Sequence, residues 1–343
     1  MYIKKGFNKK ITHRYSKENK KVRNPYLANL VTGLIIIAML IGLNDLVFKV
    51  EALPTWQGIY KALNLREKPP AVSDAELKVH YIDVGQGDCQ LIQTKEYTVL
   101  IDSGEYDNSQ KVISYIKDLK IKKLDYVIVT HYHSDHMGAM SDVLEAFDIG
   151  RIILPEIDEY FLPLPTTKSF ENLLKSIDNK NIPITYSTPK HEIYLGENIN
   201  LTILAPVTIY DDMNNVSIVA KLVHNNNSFL FTGDIEALAE HDIVQKYSNE
   251  ELQSTVLASP HHGSSTSSSA EFLSAVSPQY TVIQCGADNS YGHPHKETID
   301  AYNKIGTEIL RNDLLGTIVF SSDGEGITIT SQTGKYSEKG DAA

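Results

Sequence analysis

Three histidines and one aspartate stand within six consecutive residues, and this cluster constrains the chain more than any other stretch. Residues 130–136 read THYHSDH and directly follow the apolar segment YVIV. Because side chains alternate along a strand, His131 and His133 are expected on one side of the chain, just before a turn. A packed core cannot satisfy so many polar groups in one turn, whereas metal ions take imidazole and carboxylate ligands at this spacing. The cluster therefore predicts a metal site.

The first 25 residues differ from the rest of the chain in charge. They contain nine Lys or Arg and one acidic residue, for a net charge of +8; since the whole chain carries −11, the remainder carries −19. An acidic body does not attract a phosphate backbone by long-range charge. A polyanionic substrate would therefore have to be held by metal ions and a local patch.

An apolar segment follows the basic one. Residues 26–48 include a run of about 20 uncharged residues, long enough to span the hydrocarbon of a membrane. The basic flank predicts a cytoplasmic N-terminus, with the rest of the chain on the outer side. A signal peptide cleaved near Ala52 is the alternative. We expect an uncleaved single-pass anchor in the cell membrane and an extracytoplasmic catalytic domain.

The pattern changes again after the anchor. Residues 49–76 are predicted to be a linker, and from residue 77 short apolar strands alternate with amphipathic helices. This alternation predicts one layered α/β domain over residues 77–334, followed by a disordered tail over residues 335–343. Cys89 and Cys285 are interpreted as small buried hydrophobic residues, because two cysteines do not make a disulfide scaffold.

Further polar residues stand where predicted strands end. They are the turn DVGQGD at 83–88, Asp102, Asp234, the adjacent pair His261 and His262, and His293 in the sequence NSYGHPH. Each of them alone has a plain structural explanation, such as a tight turn or a helix cap. Strand ends that collect at one edge of an α/β sheet are where such proteins build their sites. Their joint occurrence with the histidine cluster therefore predicts one composite site.

Together these motifs resemble the metallo-β-lactamase superfamily. The HxHxDH sequence at 131–136, with Asp102, Asp234 and His262, matches its motifs. The sequences DVGQGD, PHHGS and YGHP further resemble the hydrolase domain of the ComEC/Rec-type competence DNA-uptake family. The resemblance covers about residues 77 to 330. It implies a four-layer αββα sandwich, to which the sequence adds one N-terminal transmembrane helix.

The resemblance also implies two divalent metal ions, zinc or manganese, held by six side chains: His131, His133, Asp135, His136, Asp234 and His262. The first two would hold one ion, and Asp234 would bridge both. Asp102 would steady the ligand loop from behind. His261 stays an alternative ligand to His262, because adjacent histidines cannot be ranked from sequence.

One departure from the superfamily pattern concerns the first ion. The histidine of the third motif, expected shortly before Asp234, is missing, and residues 214–217 read NNVS, as in the competence-type branch. His191 and His224 are nearby in sequence, but neither stands in a suitable loop. The first ion would then have two imidazoles and the bridge. It would bind weakly, take extra water, or be manganese, which suits oxygen ligands.

The implied chemistry is hydrolysis. A bound divalent ion lowers the pKa of its water from about 15.7 to about 7, and two ions stabilise the entering and leaving oxygens of a phosphoryl displacement. Asp135 would orient the nucleophile, and His261 or His293 would donate to the phosphate. Three side chains are predicted to contact the substrate: Gln86, Ser264 and Asn289.

We therefore expect a membrane-anchored metal-dependent hydrolase, a phosphodiesterase or nuclease acting on DNA as in competence-type DNA uptake, with a DNA-uptake channel protein as a partner. One alternative is a hydrolase of another extracellular phosphodiester, such as a cell-wall or choline phosphate. A second is a non-catalytic partner of the channel. Cleavage of β-lactams is disfavoured because those enzymes generally have the third-motif histidine.

Overall fold

The computed structural model describes residues 36–40, 69–70, 75–158, 160–334 and 336–340. The chain divides into two compact units, Met1–Arg66 and Glu67–Ala343. Residues 36–40, in the first unit, are helical. Within the described residues, no helix has the length and apolar character needed to cross a membrane.

Several predictions about the N-terminal part fall on residues that are not described. The predicted basic segment 1–25 lies outside the described residues. The same holds for most of the predicted anchor 26–48 and of the linker 49–76. These three assignments therefore stay predictions.

The described part of the second unit contains strands β1 (Leu77–Tyr81), β2 (Gln90–Thr94), β3 (Thr98–Ile101), β4 (Lys123–Ile128), β5 (Asp148–Leu154), β6 (Ile184–Tyr186), β7 (Glu192–Gly196) and β8 (Ile199–Ala205). The chain continues with β9 (Val219–His224), β10 (Asn227–Phe231), β11 (Val256–Ala258), β12 (Tyr280–Ile283), β13 (Glu308–Arg311), β14 (Ile318–Ser322), β15 (Ile327–Ser331) and β16 (Ser337–Gly340). One sheet has the order β16-β15-β14-β1-β2-β3-β4-β5-β6, and the other has the order β13-β12-β11-β10-β9-β8-β7.

The helices of this unit lie between the strands. They are α1 (Ser109–Asp118), α2 (Ser134–Met137), α3 (Met140–Ala146), α4 (Lys168–Asn179), α5 (Ala237–Lys246), α6 (Asn249–Leu252), α7 (Ala270–Val276), α8 (Lys296–Ile305) and α9 (Asn312–Leu315). Side chains cap three of them: Thr167, Ser248 and Ser269 accept hydrogen bonds from the backbones of α4, α6 and α7, respectively.

Three apolar cores show how these layers pack. Alternate side chains of β1, Leu77 and Val79, meet Leu201 of β8 in the core between the two sheets, as the period of two along a strand requires. A second core lies between the first sheet and α1, α3 and α4, and a third lies between the second sheet and α5, α7 and α8. The order helix, sheet, sheet, helix is the predicted αββα sandwich.

The structure differs from the sequence-based assignment at the sheet edges. The sequence indicated no strand at β6, β7 or β13, and it placed residues 337–340, which form β16, in a disordered tail. These four strands are the outermost strands of the two sheets. An edge strand gains backbone hydrogen bonds from one neighbour only, and the short strands β6 and β13 bury at most one side chain each, so their apolar pattern is weak. β7 does alternate, with Ile193 and Leu195 buried between exposed residues, and the sequence-based assignment missed it. Cys89 and Cys285 are free and buried, as interpreted.

Parallel pairing positions the loops that carry the predicted site. β3 pairs in parallel with β4, while β10, β11 and β12 form a parallel run in the other sheet. Parallel strands end on the same side of their sheet, so the loops that follow them collect there. These loops begin at Asp102 after β3, at residue 129 after β4, at residue 232 after β10 and at residue 259 after β11.

Candidate metal centre

The first group of ligand atoms comes from the two histidines after β4 and from Asp234. Nε2 of His131 lies 3.0 Å from Nδ1 of His133 and 3.8 Å from Oδ2 of Asp234. His131 is fully buried, whereas His133 is exposed. The chain bends at residues 131–132 and is not an extended strand there, yet the two ring nitrogens face each other. These three residues are close enough to hold one metal ion.

A second group lies on the other side of Asp234. Ligand atoms of Asp135, His136, Asp234 and His262 all lie within 4.8 Å of one another. Nε2 of His136 is 3.2 Å from Nε2 of His262 and 3.1 Å from Oδ1 of Asp234. Oδ2 of Asp135 is 3.2 Å from the same nitrogen of His262. The ligand set is therefore complete for a tetrahedral ion.

Asp234 connects the two groups. Its Oδ2 faces His131, while its Oδ1 faces His136 and His262. Oδ1 is buried and makes no hydrogen bond, although the two imidazole nitrogens lie 3.1 and 3.4 Å away. A buried charged acceptor without a donor costs about 1–3 kcal/mol or more. A divalent cation on each side would remove that cost, and the nitrogen and carboxylate donors suit zinc or manganese. The residues present thus fit a dinuclear divalent site.

The charges in this cluster compensate each other. Burial by itself would lower the pKa of His136, but the carboxylates of Asp234, Asp102 and Asp135 outweigh it and raise that pKa well above its usual value. Burial would raise the pKa of Asp234, yet His136 and His262 hold it well below its usual range. Carboxylates that attract protons to buried imidazoles attract divalent cations equally, and metal binding displaces such protons.

Asp102 binds the side of the His136 ring that faces away from the ligand cluster. Its Oδ2 accepts a hydrogen bond from Nδ1 of His136 at 2.8 Å, while Thr130 donates its backbone N–H to Oδ1 at 2.8 Å and its hydroxyl to Oδ2 at 2.6 Å. Burial raises the pKa of Asp102, and the hydrogen bonds from His136 and Thr130 oppose that rise. With Nδ1 committed to Asp102, Nε2 of His136 is directed at the ligand cluster.

Asp88 has the corresponding position next to His262; the sequence analysis included its turn in the predicted site but gave Asp88 itself no role. Nδ1 of His262 lies 3.0 Å from the carbonyl oxygen of Gln284 and 3.2 Å from Oδ1 of Asp88. Both oxygens are acceptors, so Nε2 of His262 faces the metal ligands. Asp88 is buried at the end of the DVGQGD turn. Its position directly after the two glycines was the available signal.

Backbone strain directs the adjacent histidines of the PHHGS sequence. His261 and His262 both have left-handed dihedral angles, with φ of 52° and 55°. Such angles cost about 1–3 kcal/mol for a residue with a side chain, and they persist mainly at functional sites. His262 belongs to the ligand group, whereas His261 lies at its border, with Nε2 3.8 Å from Oδ2 of Asp234. The structure thus separates two residues that the sequence could not rank.

The DVGQGD turn approaches the ligand loop so closely that it needs glycine. A Cβ atom on Gly87 would lie 2.2 Å from the carbonyl oxygen of Asp135, and Gly87 has a φ of 120°. The backbone N–H of Asp88 donates to that same carbonyl at 3.1 Å. This contact fixes the turn of Asp135 against the loop that carries Asp88.

A cleft of roughly 280 Å³ opens above the ligand groups. Its lining consists of Gln86, His133, Ser134, Asp135, Asn214, Asp234, His261, His262, Tyr291 and His293. Among the predicted catalytic residues, Asp135, His261 and His293 therefore border one space. Gln86 also lines it, and its Oε1 accepts a hydrogen bond from Gly286 at 3.3 Å.

The other two predicted substrate contacts lie outside this lining. The hydroxyl of Ser264 is within 3.0 Å of Thr266 Oγ1, inside its own loop. Asn289 donates through Nδ2 to the backbone oxygens of Gly286 and His293, and its Oδ1 accepts the backbone N–H of His293. Asn289 thus holds the loop that presents His293, and substrate contact by Ser264 and Asn289 stays a prediction.

Comparisons with known proteins identify the family of the chain and several relatives. A family model described as the metallo-beta-lactamase superfamily matches residues 82–287. The chain is 29% identical to competence protein ComA of Neisseria gonorrhoeae over 292 residues, which cover 84% of this chain and 38% of that protein. It is 26% identical to ComE operon protein 3 of Bacillus subtilis over 265 residues, covering 72% and 33%. The chain thus spans about a third of the length of these relatives.

Among solved structures, the metallo-beta-lactamase fold protein YhfI of Bacillus subtilis covers 68% of this chain and 96% of its own, at 15% identity and a TM-score of 0.46. The family model spans more than half of the present chain, and the predicted motifs lie in loops that meet at one site. The chain belongs to the metallo-beta-lactamase superfamily of metal-dependent hydrolases.

Proposed function

We propose that this protein is a metal-dependent phosphodiesterase that cleaves DNA during DNA uptake. The observation that carries the proposal is the position of Asp234, whose two oxygens face separate groups of metal ligands beneath an open cleft. Phosphodiester cleavage has an entering and a leaving oxygen, and paired ions stabilise both. The relatives named as competence proteins support DNA as the substrate.

The chain's residues would divide the chemistry in the following way. When bound, two divalent ions would supply a hydroxide at neutral pH and would offset phosphate charge. Asp135 borders the cleft; burial would raise its pKa, but His136 and His262 outweigh burial and lower it. Asp135 therefore stays ionised, and its carboxylate can accept a hydrogen bond from the attacking water and orient it.

Two imidazoles are available to donate to the phosphate. Nδ1 of His261 lies 3.1 Å from Thr266 Oγ1 and 3.3 Å from Glu236 Oε1, which leaves its Nε2 on the side of Asp234. Nδ1 of His293 is buried and has no hydrogen-bond partner. Burial, and then the neighbouring His262 and His261, lower the pKa of His293 to about 4. A neutral His293 can donate one N–H to a phosphate oxygen without repelling the metal ions.

The cleft lining favours nucleic-acid substrates with an unpaired, accessible nucleobase. The described residues that line it include no Lys or Arg, so neutralisation of a DNA backbone by side chains is weak there. Tyr291 is 62% exposed, and its ring stacks on His293 with centroids 5.5 Å apart. Exposed aromatic rings bind unpaired bases by stacking. We therefore propose single-stranded DNA, or the frayed end of a duplex, as the form that is cleaved.

The same lining also fits a second candidate function, the hydrolysis of a small extracellular phosphodiester such as a choline or cell-wall phosphate. A cleft of roughly 280 Å³ without Lys or Arg also suits a small ester.

The proposal is tested by offering single-stranded DNA, duplex DNA and small diesters to the manganese-loaded full chain and to its Asp135→Ala variant. Faster Asp135-dependent cleavage of single-stranded DNA supports the proposal. Cleavage of the small ester alone supports the second candidate, and DNA binding without cleavage supports a non-catalytic partner.

We also propose that residues 26–48 anchor the protein in the cell membrane, with the catalytic domain outside the cytoplasm. The support is the apolar run after the basic segment 1–25. Protease added to intact cells should digest the chain beyond residue 76. Full protection of the chain would contradict this topology.

A further inference from the structure

The two metal-ligand groups are unequal in the number of ligands they offer. The group around His136 has four residues, whereas the group of His131, His133 and Asp234 has three. The missing third-motif histidine accounts for the difference, because residues 214–217 read NNVS in its place. The first group therefore has room for one more protein ligand, and the loop in that position is where to search for it.

This loop lies against the first group. The hydroxyl of Ser217 is 3.2 Å from Nδ1 of His131 and accepts the backbone N–H of Asp234 at 3.1 Å. The backbone of Ile218 donates to the carbonyl of Thr130 at 3.0 Å. The loop thus contacts both the strand exit that carries the histidines and the residue that connects the two groups.

The side chain of Asn214 is oriented by a carboxylate. Its Nδ2 donates to Oε1 of Glu236 at 3.3 Å, and a carboxylate oxygen can face only the NH₂ end of the amide. Asp212 fixes the backbone, since its Oδ1 accepts the N–H groups of Asn214 and Asn215 at 2.9 and 3.1 Å. Neighbouring Asn215 is used structurally, because its Oδ1 accepts the backbone N–H of Glu236.

The carbonyl oxygen of Asn214 is left without a partner. Asn214 lines the cleft together with His133 and Asp234, and its Oδ1 is buried from solvent and makes no hydrogen bond. Buried polar atoms are almost always paired, so an unpaired one calls for a ligand. We infer that Oδ1 of Asn214 is the additional ligand of the first metal position, in place of the missing histidine.

The identity of this ligand has a consequence for metal selectivity. A neutral carbonyl oxygen suits hard cations such as manganese, whereas imidazole favours zinc. The first position would therefore prefer manganese more strongly than a site with three histidines. This inference goes beyond the proposed function, because it concerns the metal position whatever the substrate.

The test measures metal binding and needs no substrate. The metal-free full chain is titrated with Mn²⁺, and free Mn²⁺ is followed by electron paramagnetic resonance, with Zn²⁺ as competitor. Asn214→Ala should weaken one of the two Mn²⁺ equivalents by about 10- to 100-fold. Asn214→His should shift that equivalent toward Zn²⁺. Asn303→Ala, at an exposed position of α8, is the matched control.

Native affinity for both Mn²⁺ equivalents in Asn214→Ala would overturn the inference. If Asn214→Ala fails to fold, Asn214→His decides, since an imidazole there that leaves the preference between Mn²⁺ and Zn²⁺ unchanged also overturns the inference. If the chain does not cleave DNA but its Mn²⁺ binding depends on Asn214, only the proposed substrate is refuted. If the chain cleaves DNA but its Mn²⁺ binding does not depend on Asn214, only the ligand assignment is refuted.

Discussion

Asp102 accepts a hydrogen bond from Nδ1 of His136 at 2.8 Å, and both residues are fully buried. The opposite ring nitrogen of His136 faces Asp234 and His262. Asp88 has the same relationship to His262, with Oδ1 3.2 Å from its Nδ1. Two buried carboxylates, neither of which faces the cleft, thus orient the two imidazoles of the second metal position.

Replacing either carboxylate should weaken metal binding. Asp102→Asn and Asp88→Asn can each present an NH₂ group to the imidazole and favour the wrong tautomer, so we expect a loss of about 10- to 100-fold in metal affinity. Competition against a chelator measures that affinity in the full chain. Asp300→Asn, at an exposed position of α8, controls for the lost charge and should match the native chain. Equal affinity in all four proteins would contradict the orienting role.

Gly87 should be intolerant of any side chain. A Cβ atom there would lie 2.2 Å from the carbonyl of Asp135, whereas one on Gly85 would meet nothing within 4 Å although its φ of 71° is also left-handed. We expect Gly85→Ala to lower the free energy of unfolding by about 1–2 kcal/mol, from backbone strain alone. Gly87→Ala should lower it further and also weaken metal binding, because Asp135 must move. Denaturant unfolding and metal titration of both variants measure the difference. Equal losses in the two variants would show that the close approach is not required.

Tyr291 should contribute to DNA binding by stacking. An aromatic platform is worth about 1–3 kcal/mol per base, so Tyr291→Ala should weaken binding of single-stranded DNA by roughly 5- to 150-fold, and Tyr291→Phe should retain it. Fluorescence anisotropy with a labelled oligonucleotide measures the dissociation constant. Tyr194→Ala, at a 70% exposed position of β7, is the control. If Tyr291→Ala and Tyr194→Ala bind DNA equally well, stacking at this position is refuted.

Bound metal should stabilise the fold. A ligand at 100 times its dissociation constant adds about 2.7 kcal/mol to the free energy of unfolding. Mn²⁺ should therefore raise the melting temperature of the native chain, and a chelator should reverse the rise. Asp234→Asn keeps the size of the side chain but removes the shared charge, so it should show little response. A full Mn²⁺ response in Asp234→Asn would contradict the bridging position.

The sequence predicted much of this site because its signal is local. The HxHxDH cluster, Asp102, Asp234 and the histidine pair each follow a buried strand, and the parallel pairing of β3 with β4 and of β10 with β11 brings those ends together. The layering was also predictable, since central strands carry strong apolar patterns. The edge strands β6 and β13 were not, because each is short and buries at most one side chain. The assignment also missed β7, although it alternates, and β16, which lies in the polar stretch at the C-terminal end.

What the sequence could not provide are contacts between distant loops. The choice between His261 and His262 depends on two strained φ angles that no local pattern encodes. Asp88 supports His262 across 174 positions of the chain, and Glu236 orients Asn214 from the neighbouring loop. Such partners depend on the folded geometry, so asparagine and aspartate in turns look the same in sequence whether they cap a helix or serve a metal site.

The most direct test of the account measures phosphodiester hydrolysis as Mn²⁺ is added back to the metal-free full chain. Bis(p-nitrophenyl) phosphate serves as a generic substrate, and Asp234→Ala serves as the variant without the shared carboxylate. We predict no hydrolysis without metal, a rise that saturates at about two equivalents of Mn²⁺, and no activity in Asp234→Ala. Hydrolysis by the metal-free chain, or undiminished hydrolysis by Asp234→Ala, would contradict the account.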